Sequence, residues 1–386
     1  MVVFLFLKQI IDMLYQFKIL DYCLVLLGIY LLFKKLIKRK PTWKDGDGAD
    51  ILVVILALLF TLSWLRFPAG YQTYFKILSC FMVYFLGRLY KDEIKVTPYV
   101  FVVSSYIVVY ANFLHRFVRQ GYHIFAYASN EGEFYYYKTD LAIGIITAMI
   151  FIYFYGHKNM WRFVTVYLVC PYMVLYSTAR MYWLIWGIIL FVFLLAYYEQ
   201  KTGKIVNIDW KLILGIGVVA AVGVAGLAII SKTGFLRGLG FNFTLDFSQG
   251  LFSENIMHSR QIIWVEILEY FVSLPNGNQI MGVDLVTEYL HNSMNFPSHS
   301  LYIRLIYGVG YLGTAMFIGF ILYMFMKLRK IKDREIFYLA LCFGILFLME
   351  GITAASIDYT QMSWFPMMVC GMLVTAAKEE KEAENG

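Results

Sequence analysis

Long apolar runs alternate with short polar breaks along almost the whole chain. Crossing a hydrocarbon core takes about 20 predominantly apolar residues. Stretches of that kind fall near 18–34, 51–67, 71–89, 97–114, 139–156, 162–178, 181–198, 211–230, 299–326, 336–352 and 363–377. The pattern predicts an all-α, polytopic integral membrane protein with about 11 (roughly 10 to 12) transmembrane helices and one large external loop. Residues 1–17 open with an apolar run too short to span, after which Lys8, Gln9, Asp12 and Gln16 recur amphipathically, predicting an interfacial helix. The basic leader and small-residue cleavage site of a secretory signal are not evident there.

Basic residues gather after alternate apolar stretches: Lys34, Lys35, Lys38, Arg39 and Lys40; Arg88, Lys91 and Lys95; Lys158 and Arg162; Lys201, Lys204 and Lys211; and Lys327 through Arg334. The positive-inside rule makes these breaks cytoplasmic and puts the N-terminus outside. The expected organisation is an interfacial segment at 1–17, eight spans within 18–230, an external loop at 231–298, three spans within 299–377 and a cytoplasmic tail at 378–386. A loop of that length usually carries function or structure of its own. Within it, 255–274 reads as an amphipathic helix with Ile256, Ile263, Ile267 and Phe271 near one face, ended by a turn at Pro275-Asn276-Gly277-Asn278.

Composition agrees. Sixty per cent of residues are hydrophobic and 15% charged, and the mean hydropathy is +0.65, far from the soluble norm. The net charge of +7 follows topology, so nucleic acid is not an expected partner. The five cysteines lie in apolar stretches without pairing or metal-type spacing and read as small core residues.

The charge census adds more. Lysine is concentrated on the cytoplasmic side, whereas seven of the twelve arginines, Arg66, Arg116, Arg119, Arg180, Arg237, Arg260 and Arg304, fall on or near the external side. Arginine offers a planar fork for phosphate or carboxylate, so this set points to an anionic ligand; snorkelling or pairing with external acids is the ordinary alternative. Arg180, in the tight turn Ser177-Thr178-Ala179-Arg180, either binds an anion or pairs with a neighbouring helix. Arg260 and Trp264 share a helix face at i, i+4, as a sugar-phosphate contact or an interfacial anchor.

His299 stands at the junction between the long loop and the next span. With Ser298 as cap it is expected in the first helical turn, where the dipole disfavours imidazolium, and a neutral imidazole suits a general base. Glu350, within an apolar stretch, and Asp358, in the loop after it, are candidates for a proton relay, a sugar-hydroxyl contact or pairing with an arginine of another helix. Gly308-Val309-Gly310-Tyr311-Leu312-Gly313 matches GxGxxG without a preceding strand and reads as close helix packing. Asp45-Gly46-Asp47 reads as a solvated turn, and no cluster has metal-ligand spacing.

The order of these features resembles the bacterial O-antigen polymerase and O-antigen ligase superfamily. The residues that carry the resemblance are Ser177 and Arg180, Arg260 and Trp264, Pro275, Gly277 and Gly282, then His299, Leu301, Tyr302, Gly310 and Gly313; they span about 177–326, while the first 160 residues share only hydrophobic spans. His299 is followed by Ser300 where the ligase pattern often has Asn, which favours the polymerase. The resemblance implies a metal-independent glycosyl transfer, without cofactor, on the outer face of the cytoplasmic membrane. The donor would be an undecaprenyl diphosphate glycan, building a surface polysaccharide such as O-antigen, capsule or exopolysaccharide. Membrane lipids surround the protein, and flippase and chain-length regulator proteins are expected partners. Arg180 and Arg260 would bind the diphosphate and His299 would act as general base, with Arg304, Arg66, Arg116, Arg237, Trp264, Tyr302, Glu350 and Asp358 around the substrate. A ligase acting on a lipid core and a lipid-linked oligosaccharide flippase are the alternatives.

Overall fold

The structure is a computed structural model that describes residues 1–14, 17–39, 46–96, 98–119, 134–135, 137–177, 179–207, 209–232 and 260–385. Among these residues the secondary structure is helical, without a β-strand. The helices are α1 (Val2–Met13), α2 (Lys18–Arg39), α3 (Gly48–Arg66), α4 (Tyr71–Val96), α5 (Tyr99–Arg119), α6 (Lys138–Tyr155), α7 (Met160–Tyr176, with a π turn at Thr165–Val169), α8 (Arg180–Thr202) and α9 (Trp210–Lys232). After them come α10 (Arg260–Ser273), α11 (Asn276–Met281), α12 (Leu301–Lys330), α13 (Arg334–Glu350) and α14 (Thr360–Asn385).

Each of the apolar stretches read from the sequence falls on a helix. Among the described residues, α3, α5, α6, α8 and α12 are long and apolar enough to cross a membrane, which marks the chain as a helical membrane protein. Others are diluted by charge: α4 carries Arg88, Lys91, Asp92, Glu93 and Lys95, and α14 ends in a charged run.

Two units divide the chain: Met1–Leu31, Tyr90–Leu245 and Arg334–Ile345 in one, Leu32–Leu89, Asp246–Asp333 and Leu346–Gly386 in the other. In the first, α6 is the central helix. It is apolar on every side, and Leu141 through Ile152 are buried apart from Gly144, as expected of a helix surrounded by others. α1 packs on α5 and α6, and Lys8 and Gln9, expected on the polar face of an interfacial helix, are buried there. Lys8 donates to Asp12 and Ser105 Oγ to Gln9 Oε1.

In the second unit α3 and α12 run antiparallel. Ser63 Oγ donates to the Gly308 carbonyl at 2.6 Å near one end, and Lys327 Nζ meets Asp47 at 2.7 Å at the other. Asp47 is thus the N-cap of α3, not a solvated turn; its side chain accepts from the Ala49 amide while Asp50 accepts from the Asp47 amide. Asp50 also receives a fork from Arg88 and the Tyr84 hydroxyl. α4 and α14 touch backbone to backbone, since a Cβ on Gly87 would lie 2.0 Å from the Met368 carbonyl oxygen and one on Gly371 2.1 Å from that of Tyr84.

Candidate functional site

The second unit also contains the described part of the long loop, and α10 anchors it. Ile263, Ile267 and Phe271, spaced four residues apart, are buried against Ile303 and Tyr307 of α12. This face is the one read from the sequence; Ile256 lies outside the described residues, as does Arg237. Pro275 does not simply end the helix in a turn. It precedes α11, whose first turn needs no amide from it.

α11 leads onto a break in α12. Gly310 has φ 68° and ψ −170°, a conformation open essentially to glycine, so the helical ladder is interrupted there. The carbonyls beside the interruption are taken by other segments: Val283 N donates to Tyr307 O at 2.8 Å, and Ser63 to Gly308 O. Gly282, at φ 78°, sits on the break so closely that a Cβ would lie 2.3 Å from Gly308 O. The glycines therefore serve close packing, but of a loop in a broken helix rather than of two helices. Arg66, at the end of α3, donates to the carbonyls of Met281 and Gly282.

From Gly282 the chain passes through a turn in which Asp284 accepts from the amides of Val286 and Thr287, then a 3₁₀ turn at Thr287–His291. Glu266 of α10 accepts from the amide and hydroxyl of Ser293, and the His291 ring stacks on Tyr270 at 3.7 Å. These contacts bring the chain to His299.

His299 is held from both sides. Before it, Ser298 is fully buried; its amide and hydroxyl donate to Glu288 Oε1 at 3.1 and 2.9 Å, and its carbonyl accepts from Trp264 Nε1 at 2.7 Å. After it, the Leu301 amide donates to the carbonyls of Gly351 and Ala354. Between these anchors His299 adopts φ 46°, the left-handed region. The helix begins at Leu301 with Ser300 as N-cap, so the expectation that Ser298 caps it and His299 lies in its first turn is corrected. Ser298 is committed to Glu288 instead. Burial holds the imidazole below its ordinary pKa, with the positive charges of Arg260 and Arg304 acting in the same direction and Glu288 opposing. The downward shift expected from the helix dipole thus has another origin, burial and neighbouring arginines.

Arg304 is spent within the protein. Nη1 donates to Leu285 O at 2.8 Å, Nη2 lies 3.5 Å from Glu288 Oε1, and Nε lies 2.9 Å from Asp358 Oδ2. Of the readings open for Asp358, pairing with an arginine of another helix is the one observed. Burial pushes its carboxyl up to about 6, against the pull of Arg304. Glu288, 0% exposed, was missed in the sequence: a lone acid in a loop without periodicity gives no signal. Tyr302 donates its hydroxyl to Leu348 O. Glu350 is the last residue of α13 and is buried.

His299, Arg260, Trp264, Tyr302, Arg304, Arg66, Glu350 and Asp358 therefore share one unit, and Arg116 and Arg180 belong to the other. In that unit Arg116 is 1% exposed, with its guanidinium 3.5 Å from the Tyr176 ring centroid. Arg180 opens α8, near enough to Lys138 for the two charges to interact. Ser177 closes α7, its hydroxyl donating to Val174 O at 2.6 Å. Among the described residues no group of His, Cys, Asp and Glu converges to hold a metal ion. No protein-family model matches the chain, and no curated protein aligns with it.

Proposed function

We propose that the chain is a membrane-embedded glycosyltransferase that polymerises lipid-linked oligosaccharide repeat units into a surface polysaccharide, with His299 as general base. The observation that carries this reading is His299 itself: a half-buried imidazole on a left-handed backbone at the foot of an apolar helix, its pKa lowered by burial with the charges of Arg260 and Arg304 acting in the same direction. A neutral imidazole can take the proton of an acceptor sugar hydroxyl as its oxygen forms the new bond to the anomeric carbon. The bond from that carbon to the diphosphate oxygen breaks, and the electron pair leaves with the diphosphate. Its developing charge needs fixed cations. Arg260 serves that role beside His299; Arg304, already forked onto Glu288 and Asp358, is a scaffold. The resemblance assigns diphosphate recognition to Arg180 as well, and that role is a separate test in its own unit.

The proposal includes eleven spans, a multi-pass arrangement in the cytoplasmic membrane and an outward-facing site. Supporting the last, Lys327, Arg329 and Lys330 lie at the end of α12 opposite His299, as the positive-inside rule requires of an external histidine. To test the reading, purified protein is given lipid-linked repeat units. A ladder of longer chains from wild type and none from folded, inserted His299→Ala is expected; intact substrate with no ladder from wild type rejects the polymerase, and wild-type chains from His299→Ala remove the base.

A further inference from the structure

The strain at His299 requires something to hold it. A non-glycine residue in the left-handed region is strained and persists only where its surroundings fix it. On the C-terminal side the restraint is ordinary helix entry, the Leu301 amide on the Gly351 and Ala354 carbonyls. On the N-terminal side it is the Trp264 indole on the Ser298 carbonyl together with a carboxylate. One oxygen of Glu288, with no exposure to solvent, accepts both the Ser298 amide and its hydroxyl. A buried carboxylate is costly unless compensated, and Arg304 supplies the compensation while Asp358 holds the far side of the same guanidinium. Asp358, Arg304 and Glu288 thus form one buried chain of contacts that ends on the peptide preceding His299.

We infer that Glu288 is the positioning residue of this site: its buried carboxylate, oriented by Arg304 and Asp358, fixes the Ser298–His299 turn and so aims the imidazole at its substrate. The assignment rests on the reading of His299 as the base. Glu288 acts on His299 through Ser298, whose amide and hydroxyl both donate to its Oε1. Glu266 is the natural comparison, since it ties the same loop through Ser293 but does not reach His299.

The test compares Glu288→Ala, Glu288→Gln and Glu266→Ala in the full-length, membrane-extracted protein. One readout is elongation, separated into kcat and KM; the other is the rate of His299 carbethoxylation by diethyl pyrocarbonate against pH, followed by peptide mass spectrometry, which needs no activity. Glu288→Ala is expected to lower kcat about 100-fold, the scale of a small misplacement of a reacting group, with KM little changed. Glu288→Gln keeps an acceptor for Ser298 and is expected to recover most of kcat. It also removes the negative charge facing His299 among Arg260, Glu288 and Arg304, so the midpoint of carbethoxylation moves to lower pH. Glu266→Ala is expected to leave both readouts near wild type. A purely structural role would reduce the yield of folded protein without splitting kcat from KM or moving the midpoint. Wild-type kcat in Glu288→Ala, or an unmoved midpoint in Glu288→Gln, overturns the inference. If wild type makes no ladder, the polymerase reading fails while the carbethoxylation comparison still decides the role of Glu288; if Glu288→Ala does not fold, Glu288→Gln decides it.

Discussion

Trp264 Nε1 and the Ser298 carbonyl are joined by a 2.7 Å hydrogen bond that spans 34 residues of chain. It couples the loop helix to the residue before His299, so the indole of the Arg-x-x-x-Trp pattern supports the site through its N–H. Trp264→Phe keeps an aromatic body against the α10 cluster and removes the donor. Leaving a part-buried carbonyl unpaired costs about 1–3 kcal/mol. The expected result is a lower melting temperature in detergent together with a fall in kcat larger than in Glu266→Ala. Equal effects in the two variants would make the bond an ordinary loop contact.

The left-handed backbone of His299 gives a stability test independent of chemistry. Alanine keeps the strain, whereas glycine adopts φ 46° freely. His299→Gly is expected to exceed His299→Ala in stability by about 1 kcal/mol, with both inactive in elongation. Melting curves of the two purified variants check the difference.

How much of this was legible in the sequence depends on the range of the signal. Helix positions were, because an apolar run of span length needs no partner to be recognised; α3, α6 and α12 lie where periodicity and length put them. The buried face of α10 was equally visible in Ile263, Ile267 and Phe271. What was lost is what a side-chain partner outside the local periodicity decides. Ser298 looks like a helix cap until Glu288 takes its hydroxyl. Arg304 looks like an open fork until Glu288 and Asp358 fill it. Asp47 reads as solvated until Lys327 meets it.

The glycines of the resemblance are separable by the space around them. Gly310→Ala would put a Cβ 2.3 Å from Gly282 N in a backbone conformation that alanine does not adopt, and Gly282→Ala would meet Gly308 O at the same distance. Each is expected to cost about 3 kcal/mol or more and to release the segment that Arg66 clasps. Gly277, by contrast, has no atom within 4 Å of its would-be Cβ and lies inside α11. Gly277→Ala is expected to be neutral or to stabilise by up to about 1 kcal/mol. Thermal unfolding of the three variants, scored alongside proteolysis of the loop, distinguishes them.

Arg260 and Glu288 act on His299 with opposite sign, which makes the acid limb of the activity profile diagnostic. With His299 as the proposed base, its neutral imidazole is the active form, so activity should fall only as pH drops through a value below the ordinary 6.5. Arg260→Gln removes a positive neighbour, raises the His299 pKa and should move the acid limb to higher pH, the reverse of Glu288→Gln. Elongation rates at saturating substrate across pH check both directions; limbs that move together would mean another group titrates.

Asp358 supplies the last test through stability. Its carboxyl stands at about 6 in the folded protein against an ordinary 3.8, so across that window the folded chain holds a proton that the unfolded chain has released. The sign follows from linkage: the contribution is full below the ordinary value and is lost as pH rises through about 6. At most it amounts to roughly 3 kcal/mol, from the free energy of a pKa unit. Asp358→Asn cannot titrate, so the difference in unfolding free energy between wild type and this variant should change across the same window, with wild type losing ground as pH rises. A pH-independent difference would mean that Arg304 keeps Asp358 ionised throughout, and that burial does not decide its charge.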